Sequence, residues 1–162
     1  MDGKLRNMTS IFIRRQDRML MLYRIGSRVA PRSWCGIGGH FEPEHLNDAK
    51  ACMLRELEEE MAITPDDLLG LKLRYVTLRL KNDEIRQNYY FFADLKDGVE
   101  IDLRCPEGIP KWVAIEELEG LDMPFSAKFM MAHYIKTGQY TDRLYGGIAV
   151  RDRVVFTELE EF

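Results

Sequence analysis

One stretch of this chain carries two helical patterns that a single kind of packing satisfies. Between Leu46 and Met61, the apolar residues Met53, Leu54, Leu57 and Met61 recur at helical spacing. Glu56, Glu59 and Glu60 recur on the same segment. At 100° per residue the three carboxylates fall within about 100° of one another, and the apolar stripe is centred roughly 110° away. Such a helix lies on a sheet through one side and presents its acids to a cleft. Glu58 points well away from the other three and reads as a solvent-exposed charge. Like charges on one helix face repel. A cation between them removes that penalty, and hard oxygen ligands favour Mg²⁺, Mn²⁺ or Ca²⁺.

The rest of the chain supplies the sheet. Thr9–Ile13 and Met19–Tyr23 are short apolar runs around the polar turn Arg14–Arg18, and Ser33–Ile37 reads as another strand. Asn47 or Asp48 caps the acidic helix. Thr64-Pro65 is a second helix start, opening only a short turn. Leu71–Leu80 and Ile85–Leu95 are rich in β-branched and aromatic residues, and the break at Lys81–Glu84 makes them a hairpin. Lys111–Val113 reads as a strand, Ile115–Leu118 as a short helix and Ser126–Lys136 as a longer one. Gly147–Val150 and Val154–Phe156 close the chain as a hairpin. Mixed strands with a central and a late helix predict an α/β/α sandwich on a mixed sheet, in one domain spanning residues 1–162.

The net charge of −4 provides no electrostatic footprint for duplex nucleic acid, though a nucleotide needs only a local cluster of cations. No apolar run approaches the length of a membrane span, and Met1–Arg6 lacks the apolar core of a signal peptide. Cys35, Cys52 and Cys105 are odd in number and widely spaced, which predicts free thiols and a cytoplasmic setting. Exposed strand edges admit a homodimer.

A glycine pair, Gly38-Gly39, precedes the acidic helix, which contains Arg55-Glu56-Leu57-Glu58-Glu59-Glu60-Met61-Ala62-Ile63. From Gly39 to Ile63 the chain closely resembles the Nudix box, the signature of hydrolases acting on nucleoside-diphosphate-linked substrates. Trp112–Leu118 is similar to the strand and helix that often follow that box. Three departures mark a variant box. His45 stands where the pattern has its first glutamate, with Glu42 and Glu44 nearby. The interval from His45 to Arg55 is two residues longer than the pattern. The closing glycine is Ala62, which calls for either a backbone that is not left-handed or some strain.

The resemblance implies that Glu56, Glu59 and Glu60 are metal ligands, joined by the carbonyl of Gly38. It also implies that Glu56 and Glu59 act in catalysis with Arg55 orienting a glutamate. The implied cofactor is Mg²⁺, with Mn²⁺ as a substitute, and the implied partner is a nucleotide. Gly39, Arg24 and Arg28 are the candidate substrate contacts, because arginines and a bare backbone suit phosphate. Arg79 and Arg86 on the hairpin strands are further cations, weighed against ordinary surface arginines. Trp34 and Tyr89 through Phe92 are candidate base-stacking rings, most of them expected in the core. His40 and His45 are possible contacts, His133 reads as structural, and Cys52 as a small packing residue. The implied reaction is metal-assisted hydrolysis of a nucleoside triphosphate. Similarity to the MutT-like branch adds oxidised purines such as 8-oxo-dGTP. ADP-ribose, a nucleotide sugar or a capped RNA end are alternatives within the same chemistry. A nucleotide-sensing module without hydrolysis is the alternative outside it.

Overall fold

The computed structural model describes residues 3–25 and 31–160. Three strands open the chain: β1 (Lys4–Arg15), β2 (Arg18–Arg24) and β3 (Ser33–Cys35). Helix α1 (Ala49–Met61) leads to the hairpin β4 (Leu68–Lys81) and β5 (Glu84–Leu95). β6 (Gly108–Ala114), α2 (Phe125–Lys136), β7 (Leu144–Val150) and β8 (Arg153–Leu159) follow. Short 3-10 turns occupy Pro43–His45, Pro65–Asp67, Ile115–Gly120 and Gly138–Tyr140.

The strands join one mixed sheet in the order β3-β2-β1-β5-β4-β7-β8, with β6 on β2. β1 runs parallel to β5 over most of its length and meets β2 only through the hairpin residues Ile13–Arg15 and Arg18–Leu20. β2 then leaves β1 and pairs with β6 from Arg18↔Ala114 to Arg24↔Gly108. Into the gap beside β1 fall isolated bridges from Ile11 to Ile37 and from Met8 to His40. That divergence lays the glycine segment alongside β1.

Alternation along the strands builds two cores. Phe12, Met21, Tyr75 and Phe92 face α2, packing on Met130, Met131 and Tyr134. Ile11, Ile13, Leu20 and Phe91 face α1, packing on Met53, Leu57 and Met61. The helices therefore cover opposite faces, as the α/β/α expectation required. At the β4–β5 turn Asn82 and Asp83 both take positive φ, 51° and 59°, as a two-residue hairpin turn of right-handed twist requires.

Several expected boundaries shift. α1 starts at Ala49 rather than Leu46, because Pro43–His45 forms its own turn and Asn47 takes φ 68°. Asp48 is the cap, accepting the Ala51 N–H at 2.9 Å. The β1, β4 and β8 strands run several residues beyond the predicted apolar runs, carried by backbone pairing through polar positions. β3 ends at Cys35, not Ile37. Thr64 opens the expected short turn at Pro65–Asp67, with a reciprocal Thr64–Asp67 capping box. Among the described residues, no helix is long and apolar enough to cross a membrane.

Candidate functional site

The site is built where α1 passes under the glycine segment. The Gly39 carbonyl accepts the Thr9 N–H at 2.9 Å, which ties this segment to β1. A Cβ on Gly39 would lie 2.5 Å from the Glu56 carboxyl carbon. Only a bare backbone lets the helix carboxylate lie so close. Gly38 is equally confined, since a Cβ there would lie 2.0 Å from the Thr9 carbonyl oxygen.

The buried arc of α1 is rotated toward its acidic side relative to the sequence expectation. Cys52 is fully buried and Leu54 only half-buried. The Cys52 thiol donates to the His40 carbonyl at 3.6 Å and lies 3.8 Å from the Thr9 hydroxyl. Cys52 is thus the small packing residue expected, and it seats the helix against the glycine segment. One turn on, the Glu56 side chain is only 14% exposed, whereas that of Glu59 is 60% exposed. Glu58 is exposed, as expected.

Arg55 reaches across the top of this arc. It donates to Glu56 Oε1 at 2.5 Å and to Glu59 Oε2 at 2.9 Å. The Arg55 guanidinium therefore holds two of the three acids. Glu60 lies outside that clamp. Its pKa is raised to about 7, mainly by burial and next by the charge of Glu56, with Glu107 adding and Arg24 opposing. A half-buried carboxylate short of positive charge is a place where a hard cation fits. Yet among the described residues no three His, Cys, Asp or Glu side chains are gathered at coordinating distance. Arg55 draws Glu56 and Glu59 to itself, and the Glu59 side chain is 60% exposed. The donor set is right for a divalent ion, and Arg55 holds two of its members.

Glu107 is the residue that sequence reasoning missed. It stands just before β6, whose pairing sets Gly108 opposite Arg24. Its charge is felt by both Glu60 and Cys35. Nothing local in Cys105-Pro106-Glu107-Gly108 signals this, because the β2–β6 register that creates it joins segments far apart in sequence. Cys35 lies in the same corner, its thiol pushed up to about 11 by burial. All three cysteines are free, as predicted.

The candidate substrate contacts divide. Arg24 stands at the end of β2 within electrostatic reach of Glu60, Cys35 and His40, and its Nε is buried without a hydrogen-bond partner. Arg28 lies outside the described residues. Arg86 is taken up by Glu84 at 3.0 Å, and Arg79 lies over the Phe125 ring at 3.9 Å. Tyr90, Phe91 and Phe92 are core, while Trp34 and Tyr89 are half-buried, tilted against Tyr23 and Phe41 respectively. His40 Nε2 meets Arg6 at 3.0 Å, and its pKa is lowered by burial and then by Arg6 and Arg24. His45 sits in the turn before α1, with Glu42 and Glu44 exposed around it, so no carboxylate is buried at the head of the box. His133 bonds the Tyr75 hydroxyl at 2.9 Å and is structural. Ala62 takes the left-handed conformation, φ 53° and ψ 29°, so the strain foreseen for it is present.

The NUDIX domain family model matches residues 4–133. No curated protein sequence matches the chain. Among solved structures, a mutator MutT protein from Bacillus halodurans is similar at 21% identity and a TM-score of 0.68, covering 94% of this chain and 97% of that one. A NUDIX hydrolase from Nitrosomonas europaea is similar at 18% identity and a TM-score of 0.65, over 83% and 90% of the two chains. A C. elegans Ap4A hydrolase is similar at 15% identity and a TM-score of 0.63, over 85% and 99%. These likenesses are of fold. With the glycine segment, Arg55 and the acids of α1 in place, and the family model matched from Lys4 to His133, the chain belongs to the Nudix family of hydrolases.

Proposed function

We propose that this Nudix hydrolase is a single-domain, divalent-metal-dependent pyrophosphohydrolase acting on a nucleoside triphosphate. It releases a nucleoside monophosphate and pyrophosphate, with Mg²⁺ as the cation and Mn²⁺ as a substitute. The observation that carries this reading is the corner where Gly39, Glu56, Glu60, Glu107 and Arg24 come together. It pairs surplus carboxylate charge with a bare backbone and an arginine whose Nε is unpartnered.

Glu56, Glu59 and Glu60 would hold the ion, with the Gly38 carbonyl completing the shell. A bound cation neutralises phosphate charge and acidifies a water molecule. Arg55 fixes the rotamer of Glu56 through Oε1, leaving the other carboxylate oxygen to accept a proton from the attacking water. Arg24 and Arg28 clamp the phosphates, and Gly39 admits them close to the main chain. The site is assembled within one chain, so a homodimer would carry two.

The names of similar folds, MutT proteins and an Ap4A hydrolase, support nucleotides with diphosphate linkages as the substrate class. Within it, an oxidised purine triphosphate such as 8-oxo-dGTP is the first candidate and ADP-ribose the second. The protein acts where such nucleotides are dissolved, in the cytoplasm. The test is release of pyrophosphate or phosphate from a panel of natural and oxidised nucleotides, with and without Mg²⁺. Metal-dependent release that disappears in Glu59→Gln or Glu60→Gln supports the proposal. No metal-dependent turnover on any member of the panel would point instead to a nucleotide-sensing module.

A further inference from the structure

Helix α1 covers only part of its side of the sheet. Its core cluster draws on β1, β2, β5 and the first part of β4, through Leu68, Leu71 and Leu73. On the same face, the far ends of β1, β5 and β4 together with β7 and β8 carry an uncovered apolar surface that the registers make continuous. Leu5 pairs with Ile85 and Ile85 with Leu80, forming one row across β1, β5 and β4. Leu78 pairs with Ile148 and Ile148 with Val155, forming the next row across β4, β7 and β8. Val150, two residues from Ile148, fills the corner between them. Leu5 is 59% exposed, Leu80 57%, and Ile148 and Val155 50% each.

Two further observations bear on what covers this face. The first is its charge. The polar positions interleaved with the rows are the neutral Asn7, Gln87 and Thr157, and the charged residue among them is Arg153, at the edge opposite Val150. A face with no charge at its centre can oppose itself without burying one unpaired. A two-fold axis running along the strands between two such faces carries the two copies of Arg153 to opposite ends. The second is its size. The exposed parts of these apolar residues come to roughly 600 Å², at the upper end of the largest patch found on a typical monomer. Two copies would remove on the order of 1,200 Å², the lower range of a stable specific interface.

We infer that this face is the interface of a symmetric homodimer, two copies of the chain packing sheet on sheet through the rows centred on Leu78, Leu80 and Ile148. Two sheets packed this way lie about 10 Å apart with their side chains interdigitated. The interface lies on the strands beyond α1, so each glycine–glutamate corner stays open. This arrangement does not depend on the reaction proposed above.

Sedimentation velocity over a range of concentrations tests it. The wild-type protein is expected to sediment at twice 19.0 kDa at micromolar concentration, and Ile148→Lys at 19.0 kDa. Leu80→Lys, at a position already largely exposed, is the second variant in case Ile148→Lys fails to fold, and is also expected to be monomeric. Circular dichroism checks that each variant retains its sheet. A wild-type protein that stays monomeric at all concentrations overturns the inference and leaves the face to another partner. A folded Leu80→Lys variant that dimerises as tightly as wild type overturns it too.

Discussion

On the α2 side of the sheet, the aromatic side chains find partners within the fold. Tyr134 stacks on Phe92 at 4.2 Å between ring centres, and Tyr75 stacks on Tyr145 while its hydroxyl meets His133. Helix α2 buries Ser126, Ala127, Met130, Met131 and Tyr134 against that core. On the α1 side the helix packs as firmly through Met53 and Leu57, but its edge is left electrostatically unfinished. Glu60 is driven toward neutrality, and Arg24 and Arg55 each keep a buried Nε without a partner. The contrast separates a helix that completes the fold from one that turns charged groups toward a cleft. Natural sequences tend to depart from local consistency at functional sites, and here Glu60, Arg24 and Arg55 gather such departures beside α1.

Substitutions on the two sides should therefore fail in different ways. Glu56→Gln is expected to lower kcat by about 10³-fold while leaving the thermal midpoint within a few degrees. Near-normal turnover in that variant would remove the role assigned to Glu56. Met130→Ala, in the fully buried heart of the α2 side, is expected to cost about 2–5 kcal/mol in denaturant unfolding. Its turnover per folded molecule should be unchanged.

The pH dependence of stability sharpens the comparison further. Glu60 ionises at about 7 in the folded chain, against an ordinary value of 4.5. Between those values the folded state binds more protons than the unfolded one, so this group's contribution falls as pH rises and is fully unfavourable above about pH 7. In a chelator, Glu60→Gln should be more stable than wild type at pH 8, and equal to it near pH 4. Added Mg²⁺ should stabilise the wild type at pH 8 more than the variant. Thermal scans at the two pH values check both statements.

The smallest effect concerns the end of the same helix. Ala62 sits in a left-handed conformation that costs a side-chain-bearing residue about 1 kcal/mol. Ala62→Gly is expected to raise stability by somewhat less than that, because glycine also loses more freedom on folding.

How far the sequence disclosed these two sides depends on how local each signal was. The stripe of Met53, Leu57 and Met61, the Asn82-Asp83 turn and the spacing of Phe129, Met130, His133 and Tyr134 are local patterns. From them the helices, the hairpin and the sandwich were legible. The acids of α1 and the glycine pair are also local, and the structure brings Gly39 and Glu56 into contact. What could not be read was set by distant pairing. The departure of β2 from β1 toward β6 brings Glu107 to the corner, and no property of residues 105–108 announces it. The seat of Cys52 under His40 and Thr9 turned the buried arc toward the acids, which helical spacing alone had placed on separate sides. The capture of Glu56 and Glu59 by Arg55 depends on rotamers that a residue pattern does not specify.

The proposed function requires that the edge of α1 carrying Glu56 and Glu60 binds a divalent cation. Titration of Mn²⁺ into the purified protein, with the free ion followed by electron paramagnetic resonance, tests it directly. The account predicts saturable binding that Mg²⁺ displaces, weakened at least about tenfold in Glu56→Gln and Glu60→Gln and unchanged in Glu58→Gln. Equal Mn²⁺ affinity in the wild type and in both the Glu56 and Glu60 variants would contradict it.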